Sequence, residues 1–153
     1  MKELKLLKSL VIDNPDLERL EALLDQFNIF EAIGATHVEL RHSDFLAFLL
    51  NPDQPHGLGD DFVKRLLQKS LGNASSNDVP ITSIDLDIWD LDGLEVRREW
   101  RNIDLLLLDE DHNMGVIIEN KIKSSEHSNQ LPRYCKIVQN RFPNFRTWAL
   151  YLT

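Results

Sequence analysis

The sequence predicts an α/β protein, in which a central mixed β-sheet of about four strands is flanked by helices and preceded by a helical N-terminal half. Three observations carry that expectation. Apolar residues recur at helical spacing through residues 1–72. Residues 103–108, IDLLLL, form an unbroken apolar run of strand length, the pattern of a central strand covered on both faces. Strand-like segments then surround a single amphipathic helix, so the order after the helical half is β-β-β-α-β.

The elements follow in chain order. Leu4, Leu7, Leu10 and Val11 make a short apolar stripe, and Asn14-Pro15 restarts a helix with proline at its first position. Leu17, Leu20, Leu24, Phe27 and Ile33 continue that spacing, with Gly34 as the stop. Ser43 reads as the N-cap of a third helix, DFLAFLL, that ends at Asn51-Pro52. A fourth helix turns Phe62, Leu66 and Leu67 inward and is capped by Gly72. LGNASSNDVP is linker-like and precedes a β-rich region. Ile84, Leu86 and Ile88 alternate with acidic residues as in a half-buried strand, and Asp92-Gly93 is a two-residue hairpin signal. Val96, Arg98 and Trp100 alternate on the returning strand, IDLLLL follows, and DEDHN turns the chain into MGVIIENK. An amphipathic helix runs from about Ser128 to Arg141, with Pro132 tolerated in its first turn, and RTWALYL closes as a strand.

Length and composition bound the function. A chain of 153 residues with 42% hydrophobic and 27% charged residues reads as one globular domain, 1–153, with a helical part over 1–72 and a sheet-containing core over 80–153. No apolar run approaches the roughly 20 residues that span a bilayer. The N-terminus lacks a signal-peptide pattern, and a lone cysteine, Cys135, forms no intramolecular disulfide, so a cytoplasmic setting is expected. The net charge of −8 argues against nucleic acid, whose phosphates recruit excess Lys and Arg. Sorted by segment, that objection narrows. Residues 1–93 hold 8 basic and 17 acidic groups, whereas residues 94–153 hold 9 and 8.

The second part carries the chemistry. Glu119 and Lys121 are two apart on a strand and share a face. With a four-residue loop from Glu110 to Asn113, Asp109 pairs with Met114, and counting back sets Asp104 opposite Glu119. Like charges facing each other across strands repel, and each ends an otherwise apolar strand, where an unpaired charge is costly. A hard divalent cation resolves the conflict, since Mg²⁺ takes carboxylate, water and phosphate oxygens. Lys121 would then face the attacking water or the phosphate. A slip of one residue would place Asp104 against Ile118 and destroy the site. The plainer alternative, a surface Lys–carboxylate pair, accounts for any one of these residues but not for the combination.

These residues resemble the PD-(D/E)xK nuclease superfamily, whose fold is restriction-endonuclease-like. Ile103-Asp104 stands where the family has Pro-Asp, Glu119-Asn120-Lys121 is its (D/E)xK triplet, and the family's α-β-β-β-α-β core is similar to the order read above. Gln130 and Tyr134 in NQLPRY look like the Gln-x-x-x-Tyr element of the RecB-like branch. The front half, ELRHSDFLAFLLNPDQPHGLGDDF, is similar to a bacterial subgroup, and the resemblance covers about residues 28–153. It implies that Asp104 and Glu119 bind Mg²⁺ or Mn²⁺, with the carbonyl of Asn120. It implies that Lys121 activates water and stabilises charge on phosphate, that Gln130 steadies the site, and that Glu39 completes it as a first acidic motif. The implied activity is metal-assisted phosphodiester hydrolysis of nucleic acid, DNA ahead of RNA. The subgroup often runs longer than RTWALYLT, so a C-terminally truncated form is expected.

Other residues carry less. Gln130 and Tyr134, one turn apart, also suit an ordinary helix pair. His37, His42, His56, His112 and His127 form no His-Glu-x-x-His motif, and with one cysteine zinc is not expected. Trp89, Trp100 and Trp148 fall on the expected strands, where packing outranks base stacking. Lys123, Arg133 and Tyr134, with Lys136, Arg141 and Arg146, are candidates to guide a phosphate backbone. The rival functions are a catalytically inactive nuclease fold used as a binding or regulatory module, and an acidic α/β interaction protein. Oligomeric state is open, a dimer included, and no membrane partner is expected.

Overall fold

The computed structural model describes residues 32–34, 38–73, 79–121 and 129–152. The chain divides into two compact units, Met1–Thr36 and His37–Thr153. The helical stripes expected over residues 4–27, together with His37, Lys123 and His127, lie outside the described residues.

The second unit contains, in order, helices α1 (Glu39–Leu50), α2 (Asp61–Asn73) and α3 (Ser83–Ile88), strands β1 (Glu95–Trp100), β2 (Ile103–Asp109) and β3 (Met114–Asn120), helix α4 (Gln130–Arg141) and strand β4 (Arg146–Leu152). The strands form one sheet in the order β1-β2-β3-β4. β1, β2 and β3 are a meander, and β3 pairs with β4 in parallel, α4 making the crossover. It is the expected mixed four-stranded sheet flanked by helices. No helix among the described residues is long and apolar enough to cross a membrane.

β2 and β3 are apolar on both faces because both faces are covered. On one side Leu105, Leu107, Val116, Ile118 and Trp148 pack with Leu50 of α1, Val63 and Leu67 of α2 and Leu86 of α3. On the other, Leu106, Leu108 and Ile117 pack with Tyr134 and Val138 of α4. Gly115 lies beside both α4 and β4. A Cβ there would lie 3.2 Å from Thr147 Oγ1 and 3.7 Å from Val138 Cγ1.

Four local expectations are overturned. Residues 84–88 are helical, not a strand: Thr82 caps α3, its hydroxyl accepting from the Asp85 N–H at 3.2 Å while Asp85 Oδ2 accepts from the Thr82 N–H at 2.7 Å. That reciprocal cap outweighs a two-residue alternation over only six residues, and Ile84 and Ile88 are exposed while Leu86 alone is buried. Asp92-Gly93 consequently turns the chain between α3 and β1 and joins no two strands. The tight hairpin is instead Arg101-Asn102, both left-handed at φ 53° and 67°, between the paired Trp100 and Ile103. This is the geometry of a type I′ turn, carried here without glycine. Trp100 does not continue the face of Val96: Glu99 is left-handed at φ 51°, and Trp100 joins Ile103 and Phe142 on the α4 side. Trp89 caps the end of α3 and stacks on His112 rather than lying in a strand.

Two helix ends also move. α1 starts at Glu39, so Ser43 is a buried residue inside the helix and caps nothing. α2 passes through Gly72 to Asn73, because nothing about Gly72 forces a left-handed stop.

Candidate active site

The β2–β3 register determines whether the acidic residues can meet. Asp109 pairs with Met114, and the ladder runs back through Leu106↔Ile117 to Leu105↔Ile118. The loop Glu110 to Asn113 closes with Asn113 at φ 50° and its N–H on the Glu110 carbonyl. The next position in this register sets Asp104 against Glu119, as the loop length required. Regular pairing stops there because Asp104 Oδ2 accepts the Asn120 backbone N–H at 2.8 Å. The side chain of Asp104 thus substitutes for a main-chain partner, which ties the two strand ends together.

Glu119 lies at the centre, 2% exposed. Its Oε1 accepts from Lys121 Nζ at 3.0 Å and from Gln130 Nε2 at 2.6 Å. Its Oε2 is buried without a hydrogen-bond partner. Burial pushes the Glu119 carboxyl above its ordinary value, and the charge of Asp104 pushes the same way against the lowering hydrogen bond from Lys121. Burial by itself would lower the Lys121 ammonium. The Glu119 hydrogen bond and the charges of Glu119, Asp104 and Glu39 outweigh it, and Lys121 is held above its ordinary value.

The fourth member arrives on α4. Gln130 Nε2 also donates to the Tyr134 hydroxyl at 3.0 Å, which donates to the Asn102 carbonyl at 2.7 Å. One helical turn therefore links the residue before Ile103-Asp104 to Glu119, bridging the two acid-bearing strands. Tyr134, expected as a substrate guide, is 3% exposed with its hydroxyl engaged on both sides, by Gln130 and by the Asn102 carbonyl. Arg133 is exposed, its guanidinium 5.3 Å from the Tyr134 ring centroid.

Asn120 points to the opposite face. Its Nδ2 donates to the Glu39 carbonyl and to Ser43 Oγ, each at 3.4 Å, which leaves its own main-chain carbonyl as the group it can offer to a metal. Glu39 is half-buried at the start of α1, where its charge acts on Lys121. It does not close a tight three-carboxylate cage with Asp104 and Glu119. Among the described residues, the acidic trio whose ligand atoms all lie within 4.8 Å of one another is Asp60, Asp90 and Asp92. In that trio Asp60 is already engaged by Lys64 at 2.7 Å and by the Leu91 N–H at 3.0 Å, so it pins the α3–β1 loop to α2.

Sequence reasoning missed three of these links: Ser43 beneath Asn120, the Asn102 carbonyl under Tyr134, and the Asp60 trio. The Asp90-x-Asp92 spacing hinted at the last. The first two join residues 77 and 32 positions apart and leave no local signal.

The donor set suits a hard divalent cation. An orphaned, buried carboxylate oxygen beside a second carboxylate is costly alone and satisfied by a metal–oxygen bond. Asp104, Glu119 and the Asn120 carbonyl are the groups that would hold it. Comparison with known proteins gives no match among curated proteins and none among solved structures. The sequence profile of the PD-(D/E)XK nuclease superfamily, however, matches residues 27–153, which includes every element of the sheet and all four clustered residues. With Asp104, Glu119, Lys121 and Gln130 converging at the ends of β2 and β3, the chain belongs to the PD-(D/E)XK nuclease superfamily.

Proposed function

We propose that this protein is a metal-dependent nuclease that hydrolyses phosphodiester bonds in DNA, using Mg²⁺ or Mn²⁺. The observation that carries the reading is the convergence of Asp104, Glu119, Lys121 and Gln130, with one buried Glu119 oxygen left without a partner. Asp104 and Glu119 would hold the cation. A bound Mg²⁺ or Mn²⁺ supplies Lewis-acid polarisation of the phosphate and acidifies water.

The remaining work belongs to the chain. Lys121, kept charged by its acidic neighbours, sets an ammonium where negative charge builds on the phosphate. Gln130 and Tyr134 keep Glu119 from swinging away when a substrate phosphate approaches. Glu39 adds charge near Lys121 and tunes it without being a required ligand. A fold retained only for binding or regulation has no use for this set together, least of all for a buried carboxylate oxygen without a donor.

The test is cleavage of single-stranded DNA, double-stranded DNA and RNA with Mg²⁺ and with Mn²⁺, against Glu119→Ala and Lys121→Ala. Removing a group that stabilises transition-state charge costs at least about a hundredfold in rate. Two variants that cleave like the parent sink the assignment.

A further inference from the structure

The protein carries a net charge of −8, so a nucleic-acid strand needs a local grip that its overall field does not provide. One face of the sheet provides one. Arg97 and Arg141 both lie against Phe142, with guanidinium carbons 5.6 and 5.4 Å from the ring centroid. Phe142 is 6.2 Å from Trp100, and Arg101 lies over Trp100 at 5.0 Å. The next residue, Asn102, gives its carbonyl to Tyr134, whose ring carries Arg133 at 5.3 Å. Tyr134 meets Gln130, and Gln130 meets Glu119. The chain of contacts is thus continuous from Phe142 to the candidate active site.

Resting on the nuclease reading, we infer that this arginine–aromatic tract is the seat of a single DNA strand, whose phosphates it holds as the strand enters the site. Three observations support that occupant. Arg101, Arg133 and Arg141 are exposed, and among the described residues none has a carboxylate partner, so their hydrogen-bonding edges are open to phosphate. Contact with a ring restricts each guanidinium in advance, which lowers the entropy lost when a phosphate is gripped. α4 itself, QLPRYCKIVQNR, contains no acidic residue, so it adds no charge that repels a polyanion. Strandedness follows from depth. The side chains of Glu119 and Lys121 are 3% and 14% exposed, so a phosphate must be carried inward, which a flexible single strand does and a stiff duplex resists. The contacts are to phosphate, so binding should be indifferent to base sequence.

The test is fluorescence anisotropy of labelled single-stranded DNA, duplex DNA and RNA across a salt series, in EDTA so that nothing is cut. It compares the parent with the R101A/R133A/R141A triple variant, whose fold is checked by circular dichroism and melting. The parent is expected to bind single-stranded DNA more tightly than duplex DNA, and the variant to bind the single strand at least about tenfold more weakly. The slope of log affinity against log salt should flatten by about 2, from three lost phosphate contacts at about 0.7 each. The corresponding triple lysine variant should recover the slope, which counts charges, but not the affinity. Unchanged affinity and slope in the alanine variant overturn the tract even if the parent cleaves DNA. Preference for duplex DNA overturns the single-strand assignment, and preference for RNA overturns DNA as the occupant. A parent that neither binds nor, with Mg²⁺ or Mn²⁺, cleaves any of the three removes the nuclease reading and the tract with it.

Discussion

Glu119→Gln separates what the site does for function from what it costs the fold. In the metal-free protein Glu119 presents a buried carboxylate oxygen with no donor, next to the charge of Asp104. An unsatisfied buried polar group costs about 1–3 kcal/mol, more when it is charged. The glutamine keeps an oxygen to accept from Gln130 and Lys121, while its amide removes the buried charge that Asp104 repels. Part of the benefit is returned because Lys121 loses its nearest counter-charge. A net gain of about 1 kcal/mol is expected, which for a chain of this size raises Tm by about 3 °C in EDTA. Metal reverses the order. At a Mg²⁺ concentration about tenfold over its Kd, the parent gains about 1.4 kcal/mol by mass action, and the variant, with one ligand gone, gains little. The assay is thermal melting of both proteins in EDTA and in a Mg²⁺ series. The expected result is a crossover, with the variant more stable without metal and the parent more stable with it. A parent that is the more stable in EDTA, with both proteins shifting equally in Mg²⁺, refutes the argument that the Glu119 oxygen is kept for a cation.

Further predictions follow from the same contacts. Burial holds Glu119 above its ordinary value of 4.5, so the folded, metal-free protein binds that proton more tightly than the unfolded chain does. The resulting stability is fully present below 4.5 and is lost as pH rises through the raised folded value. A pH series of Tm in EDTA should show this fall in the parent and a flatter curve in Glu119→Gln. Tyr134→Phe keeps the buried ring but strands the Asn102 carbonyl and one Gln130 N–H, costing about 1–2 kcal/mol by chemical denaturation and slowing cleavage without changing the metal requirement. Gly115→Ala pushes a methyl to 3.2 Å from Thr147 Oγ1 between α4 and β4 and should destabilise by about 1–3 kcal/mol. Gly72→Ala, in a helix with nothing within 4 Å, should instead stabilise by about 0.5–1 kcal/mol, and the two melting shifts should have opposite signs.

Much of the site was legible in the sequence because it depends on local chemistry. Glu119 and Lys121 share a face through the two-residue period of a strand, and the turn length of residues 110–113 sets the β2–β3 register back to Leu105↔Ile118, one step short of Asp104 and Glu119. The apolar runs of β2 and β3 announce a sheet covered on both sides. The misreadings have equally local causes. Ile84, Leu86 and Ile88 alternate as a strand does, but the Thr82–Asp85 cap made a helix the cheaper way to satisfy the backbone. Ser43 has the chemistry of a cap, yet α1 begins at Glu39 and Ser43 is buried beneath Asn120.

The sequence alone determined the types of the strands that carry the candidate site and the β2–β3 register, and it singled out Asp104, Glu119 and Lys121 as candidates. It did so because strand period and loop length act over a few residues. Only the tertiary structure decided that Gln130 reaches Glu119, that Tyr134 holds the Asn102 carbonyl, and that Arg101 and Arg141 belong to one tract with Trp100 and Phe142. Those contacts exist because α4 packs across β2 and β3 by burying Tyr134 and Val138, and the direction in which a packed helix aims its polar side chains is set by the whole core.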